Sequence, residues 1–540
     1  MISVIHFADQ MFRKVMKKFL LALILAIFAT VGILLLPSNA YAQSTQVPEL
    51  TQPTSSIRSP RTKFVRKDVY SRSGQKDLQS LKIALKKIRE SGCTDPVSWY
   101  YQGAIHGVPS PADFTEQNSL CPIYTNASSL DPKTQAQIKK LLEYWQKCPH
   151  EAGTGVHFLP WHRLYLYHFE QVVRNLSGNP NFAIPYWDYT SSKSAKYKSM
   201  PEAFRLPTDQ TTNGLYEELR LTSLNAGQPI ESSTQQGLID GKRTAYQNIL
   251  YSVFNSQIEQ SPHNVMHGYI GGSFPKDKFN PIWQGPSPYD EGVGLMGDVP
   301  TAGFDPIFWL HHASIDRYWQ SWTLAKGASS QVTPQELAAV EFPYAFFDGK
   351  GELVEYKTPE EVVKAVYNLN YTYDKYDQIL VRPRSLASIQ QPRARMQETV
   401  ATKEVKAQLT DEPITVVVPL STSRGGDRSL LATPENGYVL EVEVSFQGKP
   451  RGTYDVYVNL PNTAAAADKD VYFAGTISFF ELPSQKRVTK TLLFDITDQL
   501  AEQVDRREQQ SEPDLKVSFL PKNGEQREEV FIEKVSLRKL

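Results

Sequence analysis

The feature that constrains this chain most is Gly303–Trp319, GFDPIFWLHHASIDRYW, an aromatic and largely apolar run with adjacent His311 and His312 at its middle. Asp305-Pro306 opens it as a helix start does, with Pro at a first helical position. Asp316 and Arg317 follow one turn after the histidines. A helix this apolar belongs in a core, and imidazoles buried there need partners. Of ten histidines, His6 lies in a leader; the others are His106, His150, His157, His162, His168, His263, His267, His311 and His312. None stands between Ala313 and Leu540. Imidazole suits Cu, Zn, Fe and Ni. One cluster at 106–168 and another at 263–312 therefore point to two metal ions.

His263 and His267, in HNVMH, lie four residues apart in a stretch, Ile249–Gly268, that reads as helix, so both imidazoles share one face. The zinc-protease motif places Glu where this chain has Asn264, so the base of a metalloprotease is missing. One ion then takes His263, His267 and one of His311 and His312. The other takes His106, at the end of a helix over Trp99–Gly107, His162, and either His150 or His157; His168 falls on another helix face. Neither set needs a carboxylate, which argues against hydrolytic zinc or magnesium pairs and favours paired copper.

Formal charge is zero, with 58 basic and 58 acidic side chains, so nothing points to nucleic acid. Arg13, Lys14, Lys17 and Lys18, then apolar Phe19–Leu36, then Ala40-Tyr41-Ala42 read as an export signal. The expected signal peptide is 1–42, cleaved before Gln43, and no later segment is apolar and long enough for stable membrane insertion. Export to a periplasmic or secreted compartment permits disulfides. Cys93 and Cys121 are the candidate pair, which leaves Cys148 odd.

The fold expected is mainly α, a helical bundle followed by an antiparallel β-sandwich. A flexible leader covers 43–63, the helical domain 64–373, a linker 374–432 and the sandwich 433–540. Leu78–Ser91 is an amphipathic helix with Leu78, Leu81, Ile83, Leu85 and Ile88 as its apolar residues, and Phe158–Leu176 is a longer one. Residues 191–243 are polar and loop-rich. Six alternating runs from Tyr438 to Leu537 carry the sandwich.

On FLPWHRLYLYHFE (Phe158–Glu170), HNVMH (His263–His267), DPIFWLHHASID (Asp305–Asp316) and WYYQGAIHG (Trp99–Gly107), residues 64–373 resemble the type 3 copper proteins: tyrosinases, catechol oxidases (polyphenol oxidases) and molluscan haemocyanins. The resemblance implies two copper ions, one on His106, His150 and His162, the other on His263, His267 and His312, with His311 beside them. Gly153 stands where the family keeps its second ligand to the first copper. Cys148-Pro149-His150 reproduces a Cys-x-His pair that carries a thioether in fungal relatives, which selects His150 over the alternative His157 and accounts for the odd cysteine. Glu259 and Asn264 match a pair proposed to hold a water that deprotonates phenol, and Val299 the gate over the first copper. Tyr371-x-Tyr373 matches the motif closing the catalytic domain. GTYDVYVNLP and YFAGTISFF resemble the C-terminal domain that covers the copper site in plant polyphenol oxidases. The implied activity is O2-dependent oxidation of o-diphenols to o-quinones, with ortho-hydroxylation of monophenols. The alternative is a haemocyanin-like oxygen carrier.

Overall fold

Among the described residues, buried apolar side chains of 64–373 gather into a helical core that Phe480 joins, and those of 398–540 otherwise into a sheet core with a small cluster around Tyr457 and Phe473 beside it. The computed structural model describes residues 64–92, 95–107, 148–149, 155–272, 293–338, 344–379, 398–420, 437–461, 466–481, 484–505, 514–523 and 529–540, with 131–132 and 135–136. The expected signal and leader, Cys93, Cys121 and His150 lie outside the described residues.

Helix α1 (Arg72–Glu90) starts where the Ser71 hydroxyl accepts from Gly74 N–H, and buries Leu78, Leu81, Leu85 and Ile88. Ile83, expected on the apolar face, is half exposed, because its position falls opposite that stripe. Helix α2 (Trp99–His106), capped by Ser98, ends at Gly107, where a Cβ would stand 2.9 Å from Pro300 Cα. That close approach sets His106 against the segment before the opening helix. Helix α3 (Phe158–Ser177) stops at Gly178 with φ +72°. Within the stretch expected to be loop, Ser232–Gln247 forms α4; its few apolar side chains leave a weak helical signal, although Leu238 and Ala245 are buried.

The expected continuous helix over Ile249–Gly268 is broken. Helix α5 (Tyr251–Ile258) runs into a wide turn, Glu259–Asn264, where Ser261 is extended (φ −151°, ψ 126°), and α6 (Val265–Gly271) follows. Pro262 has no N–H to donate and pushes the residue before it out of helical geometry. Helix α7 (Val299–Ala302) precedes α8 (Ile307–Lys326), the opening stretch, whose histidines are fully buried. Asp305 accepts from Ile307 N–H at 3.0 Å and pairs with buried Arg220 at 2.6 Å.

Strand β1 (Phe64–Arg66) pairs in parallel with β4 (Tyr371–Tyr373), and β2 (Tyr344–Phe347) forms a hairpin with β3 (Leu353–Tyr356). Asp316 ties these ends to the helices. It accepts from Arg66 at 2.8 Å, Arg163 at 2.5 Å, and the Tyr371 and Tyr373 hydroxyls at 2.6 and 2.7 Å. Arg163 and Arg66 hold its carboxyl below the usual range against the opposing effect of burial.

The C-terminal part has two four-stranded sheets. One orders β10 (Ser484–Asp495), β7 (Tyr438–Gly448), β12 (Val530–Lys539), β5 (Glu398–Gln408); the other β6 (Ile414–Val418), β11 (Leu515–Asn523), β8 (Thr453–Val458), β9 (Phe473–Ser478). All pairings in both sheets are antiparallel. Six strands match the expected runs. Strands β5 and β6 correct the expected linker 374–432: residues 398–408 and 414–418 belong to the sheets. Both are edge strands, and β5 is largely exposed with Lys403, Glu404 and Lys406 along it, so its sequence reads as polar linker.

Candidate metal centre

Among the described residues, two groups of buried ligand-type side chains converge in the helical core: His263, His267, His311 and His312, and His106, Cys148 and His162. Within each group, one ligand atom per residue lies within 4.8 Å of the others. The groups touch. The rings of His162 and His312 stack at 4.2 Å and 7°, and His106 and His312 stand 6.3 Å apart. His263 and His267, despite the break at Ser261, come within 4.5 Å, because the backbone is helical again from Pro262 on.

Backbone carbonyls and one amide set the imidazole tautomers. His106 Nδ1 donates to Val299 O at 2.9 Å, His162 Nδ1 to Phe158 O at 2.8 Å, and His267 Nδ1 to Met296 O at 2.8 Å. His263 Nδ1 donates to Asn264 Oδ1 at 2.8 Å. Each partner is an oxygen that only accepts, so the proton sits on Nδ1 and the Nε2 lone pair faces inward. His267 Nε2 and His312 Nε2 stand 3.3 Å apart. Two such nitrogens with lone pairs facing each other repel unless a proton or cation joins them. Burial, then the neighbouring imidazoles, drives His312 well below its ordinary pKa, which keeps it neutral as a ligand must be. The residues therefore fit metal ions, and the nitrogen-rich sets, without carboxylate, fit copper.

The expected site residues fall as follows. His106, His162, His263, His267 and His312 are brought together. His311, expected beside the ligands, lies within the same group, while its Nδ1 meets the Tyr189 hydroxyl at 3.0 Å. Cys148 is buried with its Sγ 3.3 Å from His162 Nε2. His157, the alternative ligand, is in neither group; its Nδ1 shares a 2.5 Å hydrogen bond with the Tyr344 hydroxyl. His168 is buried away from the centre, bonded to Tyr356 and Gln171 and stacked on Phe346. Val299 is buried, and its carbonyl orients His106. Glu259 is paired with Lys490 at 3.3 Å, and Asn264 Nδ2 donates to Ser478 O at 3.4 Å.

Those last partners come from the C-terminal sheets, and the motifs do not reveal them. Phe480, just after β9, lays its ring on His267 at 4.1 Å and 23°, and meets His263 edge-on at 5.9 Å. It packs in the helical core rather than the sheet core. Phe158, 4.5 Å from the His263 ring, and Phe308, 4.2 Å from that of His312, complete an aromatic lining. The run FAGTISFFELP marks a strand and its end, but nothing local says that the end rests on imidazoles.

Residues 96–250 and 221–325 match the family model for the common central domain of tyrosinase, and 396–539 match a domain of unknown function, DUF7868. A tyrosinase of Hahella sp. (strain CCB-MM4) is 30% identical over 315 residues, covering 54% of this chain and 59% of that protein. A chloroplastic polyphenol oxidase of Prunus armeniaca, latent form, is 28% identical over 381 residues, covering 64% of this chain and 58% of its own length. The chain thus spans under two thirds of the length of these relatives. The structure of latent apple tyrosinase superposes with TM-score 0.59 at 19% identity, over 90% of this chain and 99% of that one, which is a likeness of fold.

Proposed function

Because the chain belongs to the tyrosinase and polyphenol oxidase family, whose centre is a dinuclear type 3 copper site, we propose that it is a copper oxidoreductase that uses O2 to oxidise o-diphenols to o-quinones. Ortho-hydroxylation of monophenols is the second activity of the same site. The observation that carries this reading is the convergence of inward-facing Nε2 atoms from two histidine groups in one buried centre. His106, His150 and His162 hold one copper, and His263, His267 and His312 the other. When bound, the copper pair supplies O2 activation and accepts two electrons from each diphenol, so that two diphenols and one O2 give two quinones and two waters.

The protein's own groups do the rest. Carbonyls of Val299, Phe158 and Met296, with the Asn264 amide, hold four imidazoles in the ligand tautomer. Glu259 takes the phenol proton once released from Lys490; a phenol with pKa near ~10 must lose it to bind a metal at neutral pH. Val299 shapes the approach to the first copper. Phe480 fills the space over His267 and His263 that a phenol ring needs, so the chain as folded here is a shielded form, with the catalytic domain at 64–373 and the shield in the C-terminal sheets. Cys148 joins His150 by a thioether, Cys93 pairs with Cys121, and export removes residues 1–42. Among the described residues, no helix is long and apolar enough to cross a membrane.

Copper-loaded full-length protein, intact and after cleavage between 379 and 398, is given catechol while O2 is followed. Uptake in the cleaved sample supports the enzyme; copper binding without uptake in either sample leaves the carrier. Peptide mapping in which Cys148 resists alkylation under reducing conditions and the peptide holding Cys148-Pro149-His150 is lighter by two hydrogens tests the thioether; a free, alkylated thiol at full mass overturns it.

A further inference from the structure

His311 is the odd imidazole of the centre. It stands in one group with His263, His267 and His312, one of its nitrogens within 4.8 Å of theirs. Its ring lies 5.2 Å from that of His263, 4.7 Å from that of His267 and 5.1 Å from that of His312. Four ligands close a tetrahedral site, and a closed site holds its ion without room for a reactant. The partner of His311 differs in kind from those of the other imidazoles. Its Nδ1 meets the Tyr189 hydroxyl at 3.0 Å, and a hydroxyl, unlike a carbonyl, has a proton to give. Tyr189 is fully buried, and among the described residues His311 Nδ1 is the one group that its hydroxyl meets.

The direction of that bond follows from what each choice leaves unmet. His311 Nε2 is buried and has no hydrogen-bond partner among the described residues. If Nδ1 donated, the phenol proton and the Nε2 lone pair would both lack a partner. If Nδ1 accepts, only the Nε2 proton does. Unmet buried groups are costly, so the phenol donates. Burial holds His311 well below its ordinary pKa, so the ring is neutral and carries its one proton on Nε2. That is the opposite tautomer to the one held in His106, His162, His263 and His267. Neither nitrogen of His311 then has a lone pair free for a metal.

We infer that the Tyr189 hydroxyl withholds His311 from the second metal ion, so that four clustered imidazoles supply three ligands and one position stays open to a reactant. Tyr189 is thus a positioning residue that acts through His311. An open position is what separates a catalytic metal site from a structural one. The identity of the ion rests on the copper reading; the tautomer does not.

On the metal-free, full-length chain with isotope-labelled histidine, nuclear magnetic resonance places the His311 proton on Nε2, its signal identified by its loss in His311→Gln. A proton on Nδ1 overturns the inference. Tyr189→Phe keeps the ring but leaves His311 a lone pair free to bind. That variant holds Cu(I) about tenfold more tightly than the wild type, and its catechol-dependent O2 uptake falls by about tenfold. X-ray absorption gives it about 3.5 nitrogens per copper, against about 3 in the wild type. Combining Tyr189→Phe with His311→Gln restores the wild-type affinity and nitrogen count. Unchanged coordination in Tyr189→Phe overturns the inference. So does weaker copper binding that His311→Gln fails to restore, which makes Tyr189 a packing residue. Wild-type protein that holds two coppers on three nitrogens each, yet takes up no O2 with catechol, keeps the inference and removes the oxidase.

Discussion

Four imidazoles at the centre, those of His106, His162, His263 and His267, are each held by a bond from Nδ1 to an oxygen that only accepts, and that partner decides the tautomer. Asn264 is the one side chain among these partners, so it can be tested without moving backbone. Asn264→Ala leaves His263 Nδ1 without its 2.8 Å acceptor. Copper affinity or activity should fall by about 10–100-fold in a copper titration of the metal-free chain, as loss of an orienting partner does. Full retention of copper would mean that the tautomer is set elsewhere. Away from the centre, burial, against a weaker opposing pull from Asp348, holds His168 at about 4. Its unfolded value is ~6.5. Its neutral form therefore contributes stability that is complete above ~6.5 and is lost as pH falls toward 4, by up to about 1.4 kcal/mol per unit. His168→Asn should flatten the pH dependence of Tm across that window by this slope, read by calorimetry on the metal-free protein. An unchanged slope would place the acid sensitivity on other groups.

Among the elements, the turn Glu259–Asn264 matters most, because it presents His263 to the metals and its flank to the sheets. Helix α4 supports it through Gly241, where a Cβ would stand 2.3 Å from Ser261 Oγ. Glycine costs a helix about 1 kcal/mol relative to alanine, yet here it admits the turn. Gly241→Ala should therefore destabilise the chain by about 1–3 kcal/mol in denaturant unfolding and lower bound copper, rather than stabilise α4. Higher stability with full copper would show that the turn can move aside. The same turn shows how far sequence reading reached. HNVMH at helical spacing brought His263 and His267 together, and they do meet, but Ser261-Pro262 breaks the helix just before them. Strand β5 passed for linker because an edge strand bonds on one side only and tolerates charge along its length, and β6, the five residues ITVVV, is a short edge strand.

At the scale of the whole molecule, Phe480 is a sheet-domain residue that packs in the helical core. Phe480→Ala in the full-length, copper-loaded chain should raise catechol-dependent O2 uptake by about tenfold before any cleavage. It should also lower unfolding stability by about 3 kcal/mol, as loss of a buried phenyl does. A fall in stability with no gain in uptake would make the ring a packing residue and not a cover. Asp316 acts at the same scale by joining β1, α3, α8 and β4. Asp316→Asn leaves Arg66 and Arg163 without their shared charge and should cost about 3–5 kcal/mol, measured by denaturant unfolding.

The amino-acid sequence by itself singled out His106, His162, His263, His267 and His312 as candidate ligands, and these side chains come together. Histidines spaced for one helix face, and an apolar helix carrying two more, have few other stable uses, and alternation of period two announced six of the strands. It could not determine what those groups face. Which oxygen sets four of the imidazoles, that Cys148 lies against His162, and that Lys490 and Phe480 reach Glu259 and His267 across more than two hundred positions are matters of tertiary packing. Local sequence encodes period and propensity, which act over a few residues. Pairing of buried charges and stacking of rings are settled only when distant segments share one dry space.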